Sequence, residues 1–307
     1  MAKSTKKSNK EIREEYFSKI RSKLIAELES CNDTGRCVLP WNKVGMELSM
    51  PYNPARKSYY KGMNVLNLWM TTMSMGFTHN VWATYAQWKK LGATVNKGEK
   101  SVAQVYFWKF FEVEETNEAT GEVETKKIPY MQLSSVFNAD QVSGYEVPVK
   151  AVVDLNEVVE QVVEQPEIEE IIRNTEAKIV HGGDMACYIP SKDYIRMPNK
   201  NQFHSMGQYY HVAFHELAHW TGHESRLDRD FSGRFGTESY ATEELVAELS
   251  AAFTSAVAGV HGAETRDDHV KYIASWIKVL KNDVGAIYAV SKAAQDATNM
   301  ILGGVNE

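Results

Sequence analysis

"HVAFHELAHWTGHES", residues His211–Ser225, decides how this chain is read. Histidines recur there at intervals of four (His211, His215, His219, His223), and Glu216 directly follows the second. On a helix, residues four apart share a face and lie about 6 Å apart along the axis, from a rise of roughly 1.5 Å per residue. His215 and His219 can therefore aim two imidazole nitrogens at one ion, each at roughly 2.0–2.1 Å. Glu216 then points to the ion's open side, where a carboxylate can take a proton from a water the metal has acidified. The surroundings predict a helix. Ser205 and Gln208 form a capping-box pattern upstream, Tyr210, Ala213, Phe214, Leu217 and Ala218 supply apolar contacts, and Gly222 can end it.

Such a site needs a third ligand. A metzincin would carry another histidine six residues after the second, but Ser225 stands there, which excludes that class. His223 lies beyond the helix-ending Gly222, and three consecutive imidazoles at this spacing crowd a tetrahedral ion. The same crowding argues against His211. "TEELVAELSAAF", residues 242–253, offers Glu244 and Glu248 four apart on a second helix. Glu-x-x-Ala-Glu resembles the Glu-x-x-Ala-Asp arrangement of zinc peptidases whose third ligand is a glutamate. That likeness assigns Glu244 as ligand and Glu248 as the carboxylate that hydrogen-bonds a liganding histidine, with Glu243 and Glu248 the alternatives for the ligand. A solvated acidic face is the competing reading; the apolar Leu245, Val246 and Ala247 favour a buried helix. Tyr240, four residues before Glu244, is the candidate oxyanion donor, with Tyr188 and Tyr194 as alternatives.

The 307 residues, 43% hydrophobic and 24% charged, suit two globular domains. No run of eighteen apolar residues is present, so no membrane partner is expected. Cys31, Cys37 and Cys187 match no finger spacing and read as reduced thiols of a cytoplasmic protein. The net charge of -6 conceals an asymmetry. Residues 1–110 hold 18 Lys+Arg against 8 Asp+Glu, whereas residues 111–180 hold 5 against 16. A basic front suits a polyanion, although a solvated surface has the same composition.

Residues 1–10 read as a disordered tail, and 11–30 as an amphipathic helix with Ile12, Tyr16, Ile20, Leu24 and Leu28 on one stripe. "MNVLNLWMTTMSMGF" predicts a helix stopped by Gly76, its methionines filling a core. Thr84 and Gln87 cap another helix that ends near Gly92. A hairpin follows, with Val105, Phe107, Phe111 and Val113 on one face of its first strand. The acidic "VVDLNEVVEQVVEQ" repeats its apolar residues at helical spacing up to Pro166; short strands and long helices complete the chain. The fold class is α+β in two domains: 1–147, an α+β unit, and 148–307, mainly helical with a small sheet.

Residues 59–110 interleave aromatics with basic and amide residues. Single-stranded nucleic acid stacks its bases on aromatics within a positive groove. Tyr60, Trp82, Trp88 and Tyr106 are candidate platforms, as are Tyr59, Trp69 and Trp108; Lys61, Asn64, Lys89, Lys97 and Lys100 are candidate polar partners. An ordinary α+β core would use the same aromatics.

The ordered set "YYKGMNVLNLW…TYAQWKKLGATVNKGEKSVAQVYFW…VFNADQV" and "MACYIPSKDYIRMP…FHELAHWTGH…RLDR…YATEELVAELSAAF…YIASWIKVLKND" resembles the ArdC-type antirestriction proteins of plasmids and other mobile elements. The likeness covers both domains. It implies a front domain that binds single-stranded DNA and a rear zincin-like metallopeptidase domain, similar to the Spartan-type proteases of DNA–protein crosslinks and holding one zinc ion. The implied role is to protect incoming DNA from host restriction during conjugation, by cleaving DNA-bound proteins such as restriction enzymes. The alternative is a non-proteolytic single-stranded-DNA shield, or a protein-sequestering module, with a structural metal. A purely structural site would not need Glu216, so the complete motif favours a competent one.

Overall fold

The structure is a computed structural model and describes residues 7–34, 49–116, 123–148, 164–231, 233, 237–260 and 270–303. The acidic stretch 149–163, the hairpin tip 117–122 and residues 1–6 of the expected tail lie outside the described residues. Order starts earlier than the expected tail allows. Helix α1 runs Asn9–Thr34, and Ser8 precedes it, its backbone N–H and hydroxyl both donating to Glu11. The stripe read from the sequence is its buried face, with Tyr16, Ile20, Leu24 and Leu28 at most 5% exposed.

Strands β1 (Tyr52–Asn53) and β2 (Ser58–Tyr59) pair antiparallel ahead of α2, Met63–Met75. Residues 63–72 of α2 are all buried, as befits a helix apolar on every side. It stops at Gly76, whose φ of 67° is left-handed backbone that favours glycine. β3 (Trp82–Ala83) leads into α3 (Tyr85–Lys90), where Thr84 and Gln87 form the expected capping box. β4 (Thr94–Val95) precedes the long strands β5 (Ala103–Thr116) and β6 (Val123–Asn138), and β7 (Val142–Ser143) pairs back onto β4. β5 and β6 are antiparallel from Ala103↔Val136 to Thr116↔Val123, with strand order β3-β6-β5.

The outer part of this hairpin departs from the alternation read in the sequence. Val105 is buried, but Phe111 and Val113 on the same face are 44% and 37% exposed, because among the described residues no element covers the ribbon there. Nearer the core, α2 caps the open edge of β5. The Asn64 amide donates to Tyr106 O at 2.9 Å and accepts from Tyr106 N at 3.0 Å, and Asn67 donates to Gln104 O at 2.8 Å. These side chains stand in for a missing strand.

The second half opens with α4, Pro166–Asn174, with proline in its first turn. A three-stranded sheet follows in the order β8-β10-β9, from β8 (Ile179–His181), β9 (Cys187–Ile189) and β10 (Tyr194–Met197). β10 is parallel to β8 and antiparallel to β9. Helices α5 (Met206–Thr221), α6 (Glu238–Ala258), α7 (Val270–Asn282) and α8 (Ala286–Ile301) complete the described chain. α6 lies between two hydrophobic clusters. One face meets α5 and β10 through Ala247 and Ala251. The other shares a cluster with α1, α2 and β5 through Leu245, Leu249 and Phe253. That cluster runs across both halves of the chain: Phe17 stacks on Tyr288 at 5.1 Å, and Trp69 meets Phe253 at 5.6 Å.

Candidate metal centre and aromatic face

α5 starts where Ser205 accepts Gln208 N–H at 3.1 Å. Gln208 reaches back to His204 N–H, one residue earlier than a capping box requires. The helix carries His215, Glu216 and His219 inward, and α6 brings Glu243, Glu244 and Glu248 to face them. The solvated acidic face considered from the sequence is therefore buried: Glu243 is 7% exposed, Glu244 9% and Glu248 0%.

Three side chains, those of His215, His219 and Glu244, form one triangle of ligand groups. The Nε2 atoms of His215 and His219 are 3.2 Å apart; Glu244 Oε2 is 3.7 Å from the first, and its Oε1 3.6 Å from the second. This is the one cluster of such groups found among the described residues. Ligands roughly 2.0–2.1 Å from a tetrahedral ion stand about 3.3 Å from one another. The triangle thus fits a single ion, with two nitrogens and a carboxylate as donors. Burial alone would raise the Glu244 carboxyl, but the hydrogen bond with His215 and the charges on His219 and His215 outweigh it and hold the group at about 2.

Each histidine also faces a carboxylate on its other nitrogen. Glu248 Oε2 lies 3.6 Å from His215 Nδ1, and Glu243 Oε1 lies 3.0 Å from His219 Nδ1. Sequence reasoning named Glu248 for the outer position and held Glu243 only as an alternative ligand. Glu243 instead sits behind His219 and is gripped by Arg229, whose Nε and Nη2 donate to its two oxygens at 2.9 and 2.8 Å. Arg229 was missed; its only signal was its place in the "RLDR" run after the histidine helix. His211 points away from the triangle, toward Glu248 at 3.8 Å and Ser255 at 3.3 Å, and His223 bonds Ser225 near the surface.

Glu216 accepts the backbone N–H of Tyr188 at 2.7 Å, so β9 lies alongside it. The Tyr188 hydroxyl donates to Asp193, and Arg226 donates to that hydroxyl and to Asp193, which removes Tyr188 from the oxyanion candidates. Tyr194 lies beside it on β10, under the Lys178 ammonium at 6.0 Å. The Tyr240 hydroxyl is 3.4 Å from that of Tyr272. Burial, the Tyr272 hydrogen bond and the Glu244 charge push the Tyr240 phenol up, so it stays a protonated donor at the cluster's edge.

The front half corrects several expectations. Tyr60, Trp82 and Trp88 are at most 4% exposed, so bases cannot stack on them. Tyr60 OH donates to Trp82 O, and Trp88 Nε1 donates to Phe137 O. Trp69 is a core residue, 1% exposed. Asn64 commits its amide to the edge of β5, and its side chain also borders the cleft on this face. An aromatic run has no alternation that separates an inner from an outer face, so Tyr60, Trp69, Trp82 and Trp88 have the composition of stacking platforms. What is accessible is a cleft of about 320 Å³ lined by Arg56, Tyr59, Lys61, Tyr106, Phe107 and Trp108, with Tyr60 and Asn64 also on its lining. Arg56 lies over the Phe107 ring at 4.1 Å, and the exposed Trp108 meets Tyr106 edge-on. Arg56 carries no signal in the sequence, and Phe107 is legible there only as a residue of the strand face, not as a contact for nucleic acid. Lys89, Lys97 and Lys100 are exposed on and after α3, away from the cleft lining.

Residues 14–137 match the model for the N-terminal domain of the anti-restriction factor ArdC, and residues 166–295 match that of a zincin-like metallopeptidase. The crystal structure of antirestriction protein ArdC from plasmid R388, metal-free, is 34% identical with a TM-score of 0.72 over 93% of this chain and 96% of that one. Its Mn(II)-bound form gives 33% and 0.72, over 94% and 97%. Protein y4eC of Sinorhizobium fredii is 36% identical over 92% of this chain and 90% of its own length. The DNA primase TraC of Escherichia coli is 34% identical over 95% of this chain, which spans only 27% of that protein. No described helix is long and apolar enough to cross a membrane. With a zincin-like domain carrying a divalent-metal site behind an ArdC N-terminal domain, the chain belongs to the ArdC-type antirestriction family.

Proposed function

We propose that this chain protects incoming DNA by binding single strands on its front half and cutting DNA-bound proteins at a zinc centre held by His215, His219 and Glu244. The carrying observation is the triangle of ligand atoms with Glu216 beside it, held by β9. A bound divalent ion acidifies a water and polarises a carbonyl. The remaining work falls to side chains. The Tyr188 N–H fixes one oxygen of Glu216, which orients the carboxylate to take a proton from the attacking water and pass it to the leaving amine. Glu243 holds the His219 ring in plane and tautomer through its 3.0 Å hydrogen bond, and Glu248, 3.6 Å from His215 Nδ1, supplies the facing negative charge for the other ring. Tyr240 donates its hydroxyl to the developing oxyanion. β9 is an edge strand of its sheet, so an extended substrate can add to it through backbone hydrogen bonds. On the front half, bases stack on Trp108, Phe107 and Tyr59 while Arg56 and Lys61 meet phosphates.

Glu216→Ala should keep metal and DNA binding and abolish proteolysis of a DNA-bound restriction enzyme. Restriction protection that survives this change intact would show that shielding, not cutting, does the work. His215→Ala should lose the metal; full metal content by elemental analysis in that variant rejects the ligand set.

A further inference from the structure

The chain beyond α5 turns straight back toward the metal cluster. Leu227 N–H donates to Thr221 O at 3.0 Å, and Arg229 N–H to Gly222 O at 2.8 Å. This return carries the Arg229 guanidinium into the space between the end of α5 and the start of α6. There it donates to Ala218 O at 2.5 Å and Thr221 Oγ1 at 2.9 Å, as well as forking onto Glu243. The Arg229 and Glu243 side chains are 11% and 9% exposed. Two residues on, the Phe231 ring lies 6.5 Å from the His219 ring and 6.1 Å from the Tyr188 ring, so it spans the gap between the histidine helix and β9. Gly222 makes this seating possible. A Cβ there would come within 2.6 Å of Phe231 Cζ and 2.8 Å of Arg229 Nη2.

We propose that Arg229 is a latch: acting through Glu243 it positions His219, and so couples the seating of residues 222–231 against His219 and β9 to occupation of the metal site. The proposal rests on the metal-site reading above. The physical reasons are three. A carboxylate on the outer nitrogen of a liganding imidazole fixes its ring and strengthens it as a donor. A buried carboxylate needs a partner, and a planar guanidinium is the one that also fixes its orientation. Coupling between sites is reciprocal: whatever factor the seated segment adds to metal affinity, the metal returns to the seating of the segment. Metal occupation therefore holds Phe231 in its place between His219 and Tyr188, beside the β9 strand along which an extended peptide would lie.

The test uses the full chain, stripped of metal and titrated with Mn²⁺ while free Mn²⁺ is followed by electron paramagnetic resonance. Arg229→Met and Glu243→Gln should each weaken binding about 10–100-fold. The double variant should lose no more than the worse single one, because both act along one route. Gly222→Ala should weaken binding in the same direction although it touches neither charge. In the wild type, Mn²⁺ should slow amide hydrogen exchange across 222–231; in the three variants it should not. A folded Arg229→Met that binds Mn²⁺ as the wild type does, additive losses in the double variant, or wild-type exchange at 222–231 indifferent to Mn²⁺ would each overturn the latch. If Arg229→Met does not fold, Glu243→Gln and Gly222→Ala decide the matter alone. His215→Ala separates the two levels: its failure to bind Mn²⁺ while Arg229→Met binds normally removes the latch only, whereas normal binding in His215→Ala removes the metal-site reading and the latch with it.

Discussion

Trp108→Ala distinguishes the exposed aromatic face from the buried aromatics. The Trp108 ring is 37% exposed and touches Tyr106 and Tyr288 edge-on, each at 6.4 Å. Edge contacts of this kind add roughly 0.5–1.5 kcal/mol when well buried, so truncation should cost stability about 1–2 kcal/mol. A base stacked on an aromatic ring contributes about 1–3 kcal/mol, which is roughly a 5- to 150-fold loss of affinity. Trp88 predicts the opposite pattern. It is fully buried, and its indole N–H satisfies Phe137 O, so removing the ring altogether would cost about 3–5 kcal/mol of stability. The milder Trp88→Phe should lower stability while leaving affinity in place. Binding is read by fluorescence anisotropy of a labelled oligothymidine, and stability by urea unfolding of the same samples. Unchanged oligothymidine affinity in a folded Trp108→Ala refutes the assignment of this face. So does a Trp88→Phe that loses affinity without losing stability, because it would restore the buried residues as platforms.

The acid limb of metal-free stability should be steep. Glu244, at about 2, and Glu243, also lowered by Arg229 and His219 against the effect of burial, ionise more readily folded than unfolded. Their contribution is complete above the ordinary carboxylate range near 4.5 and is lost as pH falls toward about 2. For Glu244 alone this amounts to at most ~3 kcal/mol, at roughly 1.4 kcal/mol per pH unit. Glu244→Gln should flatten the unfolding free energy over that window, and an unaltered slope would count against the arrangement. Gly76→Ala should cost about 1–2 kcal/mol in urea unfolding, since its left-handed φ of 67° is unfavourable to any Cβ and nothing lies within 4 Å to be displaced. A neutral substitution would mean that the turn relaxes.

Signals confined to a few neighbouring residues were legible in the sequence. The stripe from Tyr16 to Leu28, the Thr84–Gln87 box, the stop at Gly76 and the inward His215–Glu216–His219 face are all set by helical period or local backbone chemistry. So was the approach of Glu244 and Glu248 as a pair, because four residues on a helix fix a common face. What failed was any reading that required knowing which side of an element meets which partner. Trp82 and Trp88 have the composition of a stacking surface and the burial of a core. Asn64 has the chemistry of a ligand contact, and it is engaged on an open strand edge 42 residues away in sequence.

By itself, then, the sequence determined the Tyr16–Leu28 stripe, the Thr84–Gln87 box, the stop at Gly76 and the inward His215–Glu216–His219 face, since these depend on spacings of three or four residues along one helix or on local backbone chemistry. Tertiary structure alone decided that Glu243 stands behind His219 rather than in the His215–His219–Glu244 triangle, that Arg229 holds it there, and that Trp108 rather than Trp88 faces outward. Those assignments depend on the relative placement of α5, α6 and the returning 222–231 segment, and on which sheet face is covered. No local periodicity encodes distances between residues so far apart in the chain.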